Sequence, residues 1–334
     1  MRISGDIEAH EKAGPERHDA LGMYHFMVLA RVISRKAWLL NRQGRVLFTM
    51  ACDGQEAADV GSALALNAGT DFMVPYARDL GAVLVLGMTP REIMLNLFAR
   101  ADDPNSGGRQ MPMHWSCKRL GIISMGSPVS VTIPKAVGVA LASKFRREPA
   151  VTLVYFGDGA ASEGDFHEGL NFAGVMKVPV VFFCNNNGWS TSVPLDKQMA
   201  GPNIAMRAES YGFPGVGVDG NDVLAVREVT KEAVERARQG GGPTLIEART
   251  IRMMPHSSAD DHYRYRTREE LEAEKELDPL DRFRDYLMSK GFLDPEADRN
   301  IWDRADTETE EAISYAESAP LPEPESALDR LYAP

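Results

Sequence analysis

The segment from Val151 to Asn187 reads VTLVYFGDGAASEGDFHEGLNFAGVMKVPVVFFCNNN. Residues 151–156 and residues 180–184 are apolar and rich in β-formers, which predicts two buried parallel strands, and the residues between them predict a helix. A strand–helix–strand unit of this length returns both strand ends to one edge of a parallel sheet, where open α/β folds bind ligands. We therefore expect an α/β fold in which Gly157-Asp158-Gly159 lies beside Asn186-Asn187.

The residues expected at this edge suit a hard cation that holds a diphosphate. Mg²⁺ prefers about six oxygen ligands, shared among carboxylates, phosphates and water. Asp158 offers a carboxylate oxygen, Asn187 an amide oxygen and Trp189 a backbone carbonyl. Gly159 and Ala160 leave backbone N–H groups free to meet a phosphate at the start of the following helix. A Gly-Asp-Gly turn alone is typical of ligand-free loops, but its pairing with Asn-Asn favours a magnesium–diphosphate site.

At these residues the sequence resembles a known family, the alpha subunit of the thiamine-diphosphate-dependent decarboxylating component of 2-oxo acid dehydrogenase complexes. The amino-acid sequence is most similar to that of the branched-chain (2-oxoisovalerate) type. The resemblance extends from about residue 20 to 290 and implies a thiamine-diphosphate-binding fold, with a mostly parallel sheet and helices on both faces. The motifs that carry it are Gly157–Asp165, Glu168–Gly174, Gly54–Ala58, Gly108–Pro112 and Gly242–Glu247.

A second candidate segment, residues 252–266, follows a predicted strand and is dense in charge without helical or strand periodicity. Without the resemblance, a solvated loop would be an adequate interpretation. The resemblance implies that Arg252 pairs with the cofactor diphosphate through its planar set of donors. It also implies that His256 binds near the cofactor and acts in proton transfer, since imidazole titrates near neutral pH. Some relatives are phosphorylated at a serine that corresponds to Ser257.

The resemblance assigns three further residues to cofactor binding, Arg78, Ser127 and Val129, and Tyr76 is a fourth candidate. Arg78 corresponds to an arginine that grips the diphosphate, and the alternative is a surface ion pair with Asp79. The family usually has Tyr-Arg where this chain has Ala77-Arg78, so one expected hydroxyl is absent, and Tyr76 is a candidate to replace it.

Other departures leave open questions. Val131 replaces a threonine that helps bind potassium in some relatives, so we do not expect that ion. Asn185 stands where some relatives place an arginine on the diphosphate. Asp53 is expected either near the pocket mouth, where it would alter substrate preference, or facing solvent. Gln110 and His114 lie in a segment that resembles a substrate-facing loop, but each is as readily structural.

The implied activity is oxidative decarboxylation of branched-chain 2-oxo acids such as 3-methyl-2-oxobutanoate, with acyl transfer to a lipoyl group. The implied cofactors are thiamine diphosphate and Mg²⁺. The implied partners are a beta subunit, which completes the site in an α2β2 heterotetramer, and a lipoyl-bearing acyltransferase. A pyruvate or acetoin dehydrogenase remains an alternative, because one methylene in a pocket contributes only ~1–3 kcal/mol of discrimination. A non-catalytic assembly subunit is a third interpretation, which the departures favour and the retained Asp158 and His256 oppose.

Composition is consistent with an enzyme of this kind. The chain has 334 residues, of which 44% are hydrophobic, enough for a substantial core. A net charge of −11 argues against nucleic acid or an anionic membrane as the main partner. Cys52, Cys117 and Cys184 lack metal-ligand spacing and suit a reducing compartment, with Cys184 expected in the core. The acidic N-terminal segment is unlike a signal or transit peptide, so we expect a cytoplasmic protein without a membrane span.

Three regions are expected along the chain. Residues 1–20 form a polar N-terminal extension, residues 21–290 the thiamine-diphosphate-binding domain, and residues 291–334 a helical segment followed by a Pro/Glu-rich tail. Within the domain, residues 21–41 and 162–176 predict helices, the second with Ser162 as its N-cap.

Overall fold

A computed structural model describes residues 16–329 of the chain. Seven strands occur in this part. They are β1 (Phe72–Val74), β2 (Thr152–Gly157), β3 (Val180–Asn186), β4 (Trp189–Ser190), β5 (Val193–Pro194), β6 (Gly215–Asp219) and β7 (Thr244–Arg249). Five of them pair in parallel in the order β1-β2-β3-β7-β6, and β4 and β5 form a small antiparallel ribbon.

Eleven α-helices surround the sheet in the same part of the chain. They are α1 (Arg17–Arg42), α2 (Glu56–Ala63), α3 (Leu80–Val85), α4 (Pro90–Leu97), α5 (Thr132–Arg146), α6 (Gly164–Met176), α7 (Leu195–Gln198), α8 (Val223–Arg238), α9 (Arg268–Lys275), α10 (Pro279–Ser289) and α11 (Pro295–Ser318). Short 3₁₀ turns join several of them, and the turn that matters for function is Asp158–Ser162, directly after β2.

The central strands are buried on both faces, which explains their continuous apolar sequence. Leu153 and Tyr155 of β2 belong to a core shared with α1, α2, α3, α8 and α11. Val154 and Phe156, with the opposite side-chain direction, belong to a second core shared with α5 and α6. The predicted fold class, a mostly parallel sheet with helices on both faces, is confirmed. Cys184 is fully buried in the second core, as expected.

Two helix starts differ from the sequence prediction. The first helix begins at Arg17 rather than near residue 21, and Asp19 lies in its first turn. The helix after β2 begins at Gly164 with Glu163 as N-cap, so the assignment of Ser162 as N-cap is wrong. The reason is local: residues 158–162 close into a 3₁₀ turn, and the N–H of Glu163 donates to the carbonyl of Ala160 at 3.2 Å.

The C-terminal helical segment is one long helix. It runs over Pro295–Ser318, packs on α1 and α4, and adds Ala305, Ala312 and Ile313 to the first core. Most of the expected N-terminal extension, residues 1–15, and the last residues of the tail, 330–334, lie outside the described residues. No helix in the part the structure describes is both long and apolar enough to span a bilayer.

Candidate active site at the carboxyl edge of the sheet

The strand ends β2 and β3 meet as the sequence predicts. Gly157 pairs with Asn185 in the parallel ladder, so the turn that begins at Asp158 and the segment that carries Asn187 leave the same edge of the sheet. Asp158 is 2% exposed. Gly159 is required by close approach, because a Cβ there would lie 2.2 Å from the Oγ of Ser190 in β4.

A cavity of about 340 Å³ opens at this edge. Nearly all of the predicted site residues line it: Tyr76, Arg78, Ser127, Val129, Asp158, Gly159, Ala160, Asn187, Trp189 and His256. Arg252 is the exception and lies outside the lining. Ser257 also lines the cavity and is buried.

The three expected metal ligands already have hydrogen-bond partners. The Oδ2 of Asp158 accepts from the Nε2 of Gln198 at 2.7 Å. The Oδ1 of Asn187 accepts from the backbone N–H of Trp189 at 3.1 Å, which fixes the amide orientation. The carbonyl of Trp189 accepts a long bond, 3.4 Å, from the guanidinium of Arg252. The turn that begins at Asp158 and the segment Asn187–Trp189 are the two arms of the site. These contacts hold both arms in place without using every oxygen lone pair.

The two arginines differ in their relation to the cavity. Arg78 lines it and donates to the carbonyls of Ala51 and His256, each at 2.9 Å. Arg252 lies behind the β4 segment and donates to the carbonyl of Thr191 at 2.8 Å and the hydroxyl of Tyr265 at 2.9 Å. In this arrangement Arg252 supports the segment that carries Trp189, and its contact with a diphosphate stays a prediction.

His256 is held neutral in this arrangement. Its Nδ1 lies 3.1 Å from a guanidinium nitrogen of Arg78, so Nδ1 accepts and the proton resides on Nε2. Burial and the charges of Arg78 and Arg252 lower the pKa of His256 to about 3. The role of His256 in proton transfer stays a prediction. Its backbone N–H donates to Asp260 at 2.8 Å, and Tyr265 also donates to that carboxylate.

The cavity also has an apolar wall. Phe48, Met50, Met111, Met125 and Val129 form this wall, and Val129 is 61% exposed at the rim. Beside the wall, the Nε2 of His114 lies 2.6 Å from the Oγ of Ser127. His114 thus belongs to the cavity, whereas Gln110 is not among its lining residues and donates to Ser124 at 3.2 Å.

Two of the sequence departures have structural explanations. Asp53 neither faces solvent nor lines the cavity: it is buried, accepts from the Oγ of Ser34 at 2.7 Å and pairs with Arg35 at 3.2 Å. The solvent-facing alternative that the sequence suggested for it is therefore wrong.

Asn185 is buried and is not among the residues that line the cavity. Its amide nitrogen lies 3.3 Å from a carboxylate oxygen of each of Asp59 and Asp79. Asn185 therefore bridges two acidic side chains. The expectation of a surface ion pair between Arg78 and Asp79 is also wrong, because both residues are buried.

The residues present fit a magnesium diphosphate. Burial raises the pKa of Asp158, although the hydrogen bond from Gln198 and the charges of Arg252 and Arg78 oppose it. Burial and the neighbouring Arg78 lower the pKa of Arg252. Oxygen donors of carboxylate, amide and carbonyl type are those that Mg²⁺ prefers, and the Arg78 and Arg252 charges suit phosphate oxygens.

Sequence reasoning missed two polar residues at this edge, Gln198 and Ser190. Both act through contacts across the chain, Gln198 on Asp158 and Ser190 against Gly159. It also missed the apolar wall, because Met50 and Met125 come from separate loops and carry no local pattern. The only signal available was the high methionine count, 16 in the chain.

Comparison with known proteins agrees with this geometry. The family model described as the dehydrogenase E1 component matches residues 24–325. The 2-oxoisovalerate dehydrogenase subunit alpha of Bacillus subtilis is 49% identical over 324 residues, which cover 97% of this chain and 98% of the relative. The 3-methyl-2-oxobutanoate dehydrogenase subunit alpha of Mycobacterium tuberculosis is 40% identical, over 91% of this chain and 84% of the relative. The human mitochondrial 2-oxoisovalerate dehydrogenase subunit alpha is 38% identical, over 95% and 71%.

Proposed function

The chain belongs to the dehydrogenase E1 component family, and we propose that it is the alpha subunit of a branched-chain 2-oxo acid dehydrogenase. It would act in the oxidative decarboxylation of 3-methyl-2-oxobutanoate, with transfer of the acyl group to a lipoyl disulfide. The observation that carries the proposal is one cavity lined by two unlike groups of residues. Asp158 and Asn187 belong to its polar group, and Phe48 and Met111 belong to its apolar wall.

The polar residues of the lining would hold thiamine diphosphate through Mg²⁺. Asp158, Asn187 and the carbonyl of Trp189 would be the protein ligands of the cation, and the Asp158–Ser162 turn would present backbone N–H groups to a phosphate. Arg78 and Arg252 would balance the phosphate charge. When bound, the cofactor supplies an electron sink for the bond that breaks as carbon dioxide leaves.

His256 would hold a proton for the reaction at a defined atom. Its Nδ1 faces Arg78, so the proton is on Nε2, from which it can be donated to an oxygen of the substrate. The Asp260 contact with its backbone fixes the position of the ring along the loop. Burial and the charges of Arg78 and Arg252 lower the pKa of His256, and a bound diphosphate would offset the arginine charges and make the imidazole more basic.

The apolar wall would receive the branched side chain of the substrate. Methionine side chains are flexible and polarizable, so Met50, Met111 and Met125 can adapt to 2-oxo acids that differ by one methylene. Pyruvate would leave much of this wall uncovered. The relatives named above are branched-chain enzymes, which favours this choice over the pyruvate or acetoin alternative.

Two protein partners follow from the proposal. A beta subunit would cover the open rim near Val129 and supply the carboxylate that activates the aminopyrimidine of the cofactor, within an α2β2 heterotetramer. A lipoyl-bearing acyltransferase would accept the acyl group. A cytoplasmic location stays a prediction from the sequence.

The test is artificial-acceptor decarboxylation by the co-expressed alpha and beta chains, with thiamine diphosphate and Mg²⁺. We expect a higher kcat/KM for 3-methyl-2-oxobutanoate than for pyruvate. Asp158→Asn should weaken cofactor binding by more than about 100-fold, since even outer partners of metal ligands contribute about 10–100-fold. Asp196→Asn, the same change at an exposed position of α7, is the matched control.

Each failure points to a different error. A preference for pyruvate would retain the cofactor assignment and refute the substrate. Cofactor binding without turnover of any 2-oxo acid or acetoin would favour the assembly-subunit interpretation. Unchanged cofactor affinity in Asp158→Asn would refute the metal site itself.

A further inference from the structure

Gln198 lies at the end of α7, a single helical turn between the two arms of the site. Its Nε2 donates to the Oδ2 of Asp158 at 2.7 Å and to the carbonyl of Val193 at 2.9 Å. The same nitrogen, Nε2, therefore donates both hydrogen bonds. A carboxylate and a carbonyl can only accept, so the NH₂ group must face them and the amide orientation is determined.

The backbone of α7 fixes the same region independently of this side chain. The carbonyl of Gln198 accepts from the hydroxyl of Ser162 at 3.2 Å, at the other end of the 3₁₀ turn that starts at Asp158. The N–H of Leu195 donates to the carbonyl of Gly188 at 2.9 Å, between Asn187 and Trp189. The α7 turn therefore bonds to both arms that carry the expected metal ligands.

We propose that Gln198 is a positioning residue for the metal–diphosphate site, an inference that rests on the proposed function. The Gln198 amide fixes the rotation of the Asp158 carboxylate by occupying Oδ2, which leaves Oδ1 for the cation. Outer partners of this kind orient metal ligands and lower the cost of ordering them on binding. Gln198 does not itself contact the cation through Nε2, because that atom carries hydrogens.

The other atom of the amide supports this role. The Oε1 of Gln198 is buried, and no group among residues 16–329 donates a hydrogen bond to it. Magnesium in phosphate sites usually retains several water ligands. A water molecule brought by the cation would satisfy Oε1, so cation binding would complete the hydrogen bonding of this side chain.

The decisive variant is Gln198→Met, which keeps the length of the side chain and removes both donors. Calorimetric titration of thiamine diphosphate into the co-expressed α2β2 protein, at stepped Mg²⁺ concentrations, gives the Mg²⁺ needed for half-maximal cofactor binding. We expect this requirement to rise about 10–100-fold. The kcat at saturating Mg²⁺ and cofactor should stay within about 3-fold of the wild type, because Gln198 contacts no reacting atom.

Gln239→Met is the matched control, since the same substitution at an exposed position after α8 should leave the Mg²⁺ requirement unchanged. If Gln198→Met fails to fold, Gln198→Asn keeps the amide but is too short to reach, and it must show the same rise. An unchanged Mg²⁺ requirement in the folded variant overturns the inference. So does a lower kcat with an unchanged requirement. A wild-type protein that binds no thiamine diphosphate with Mg²⁺ would instead refute the proposed function.

Discussion

Gly159 provides a direct test of how tightly the two arms of the site must approach. A Cβ built on this residue would lie 2.2 Å from the Oγ and 2.7 Å from the Cβ of Ser190. Gly159 is not among the glycines with positive φ, so contact rather than backbone conformation excludes a larger residue. Gly159→Ala should therefore push β4, and with it Trp189, away from Asp158.

The size of the effect follows from these distances. Ordinary contact begins at 3.4 Å, so the Ser190 Oγ must move by about 1.2 Å (3.4 − 2.2) and its Cβ by about 0.7 Å (3.4 − 2.7). A change of rotamer moves the Oγ but not the Cβ, so the backbone of β4 must shift. Overpacking of this kind costs about 1–3 kcal/mol, which corresponds to about 5- to 150-fold weaker binding if the shift falls on the cofactor site.

A second substitution separates this mechanism from general damage. In Gly159→Ala/Ser190→Gly the new Cβ would meet the Cα of residue 190 at 3.5 Å, an ordinary contact. We expect Gly159→Ala to weaken thiamine diphosphate binding at fixed Mg²⁺ by about 10–100-fold. The double variant should return to within about 3-fold of Ser190→Gly alone, because the clash has been removed. Binding is measured by calorimetry with the α2β2 protein.

Gly164→Ala serves as the control, because a Cβ at this position at the start of α6 meets nothing within 4 Å. Wild-type affinity in Gly159→Ala would refute the close-approach argument. A double variant as weak as the single one would show that β4 is not the obstacle.

Three shorter predictions concern charge. Inorganic pyrophosphate should raise the pKa of His256 by at least about one unit, because its charge offsets the arginine charges that lower this pKa. The pKa is measured by NMR of histidine-labelled protein. An unchanged pKa would show that the anion does not bind beside His256. Burial raises the pKa of Asp79 to about 7, so its contribution to stability is present below about pH 4 and is lost as the pH rises toward 7. The Tm of Asp79→Asn should therefore rise relative to the Tm of the wild type as the pH increases over that range. A difference in Tm that stays constant with pH would contradict this. Arg238→Met removes a bidentate partner at 2.9 Å from the buried Asp71 and should lower the free energy of unfolding in urea by about 3 kcal/mol. Arg146→Met, at a side chain that is 74% exposed, should change it by less than about 0.5 kcal/mol.

The sequence was sufficient for the sheet edge because the relevant information is local. The apolar runs around 151–156 and 180–184 and the length of the helix between them determine that two strand ends meet, and the structure pairs Gly157 with Asn185. Helix starts were less predictable, since the choice between Ser162 and Glu163 depends on a 3₁₀ turn with no distinct sequence pattern.

Residues that act across loops were beyond the reach of the sequence. Nothing near Gln198 in the chain indicates that its amide meets Asp158, forty residues earlier. Asp53 shows the converse error: a charge next to a motif suggested a functional position, but Asp53 is buried and is bound by Ser34 and Arg35. Local pattern predicts where backbone elements end, while side-chain partners depend on the packing of α1 and α7 against other segments.

The charges of the site explain why cation and diphosphate should bind together. The buried carboxylate of Asp158 has a raised pKa, so its charged form is disfavoured by burial and would be stabilised by a cation. Burial and the charge of Arg78 lower the pKa of Arg252, and burial with the charges of Arg78 and Arg252 lowers the pKa of His256, so this side of the cavity favours an anion. A cation alone would be repelled by the arginine charges, and a diphosphate alone would be repelled by the carboxylate. A magnesium diphosphate satisfies both sides at once, and each part therefore increases the affinity of the site for the other.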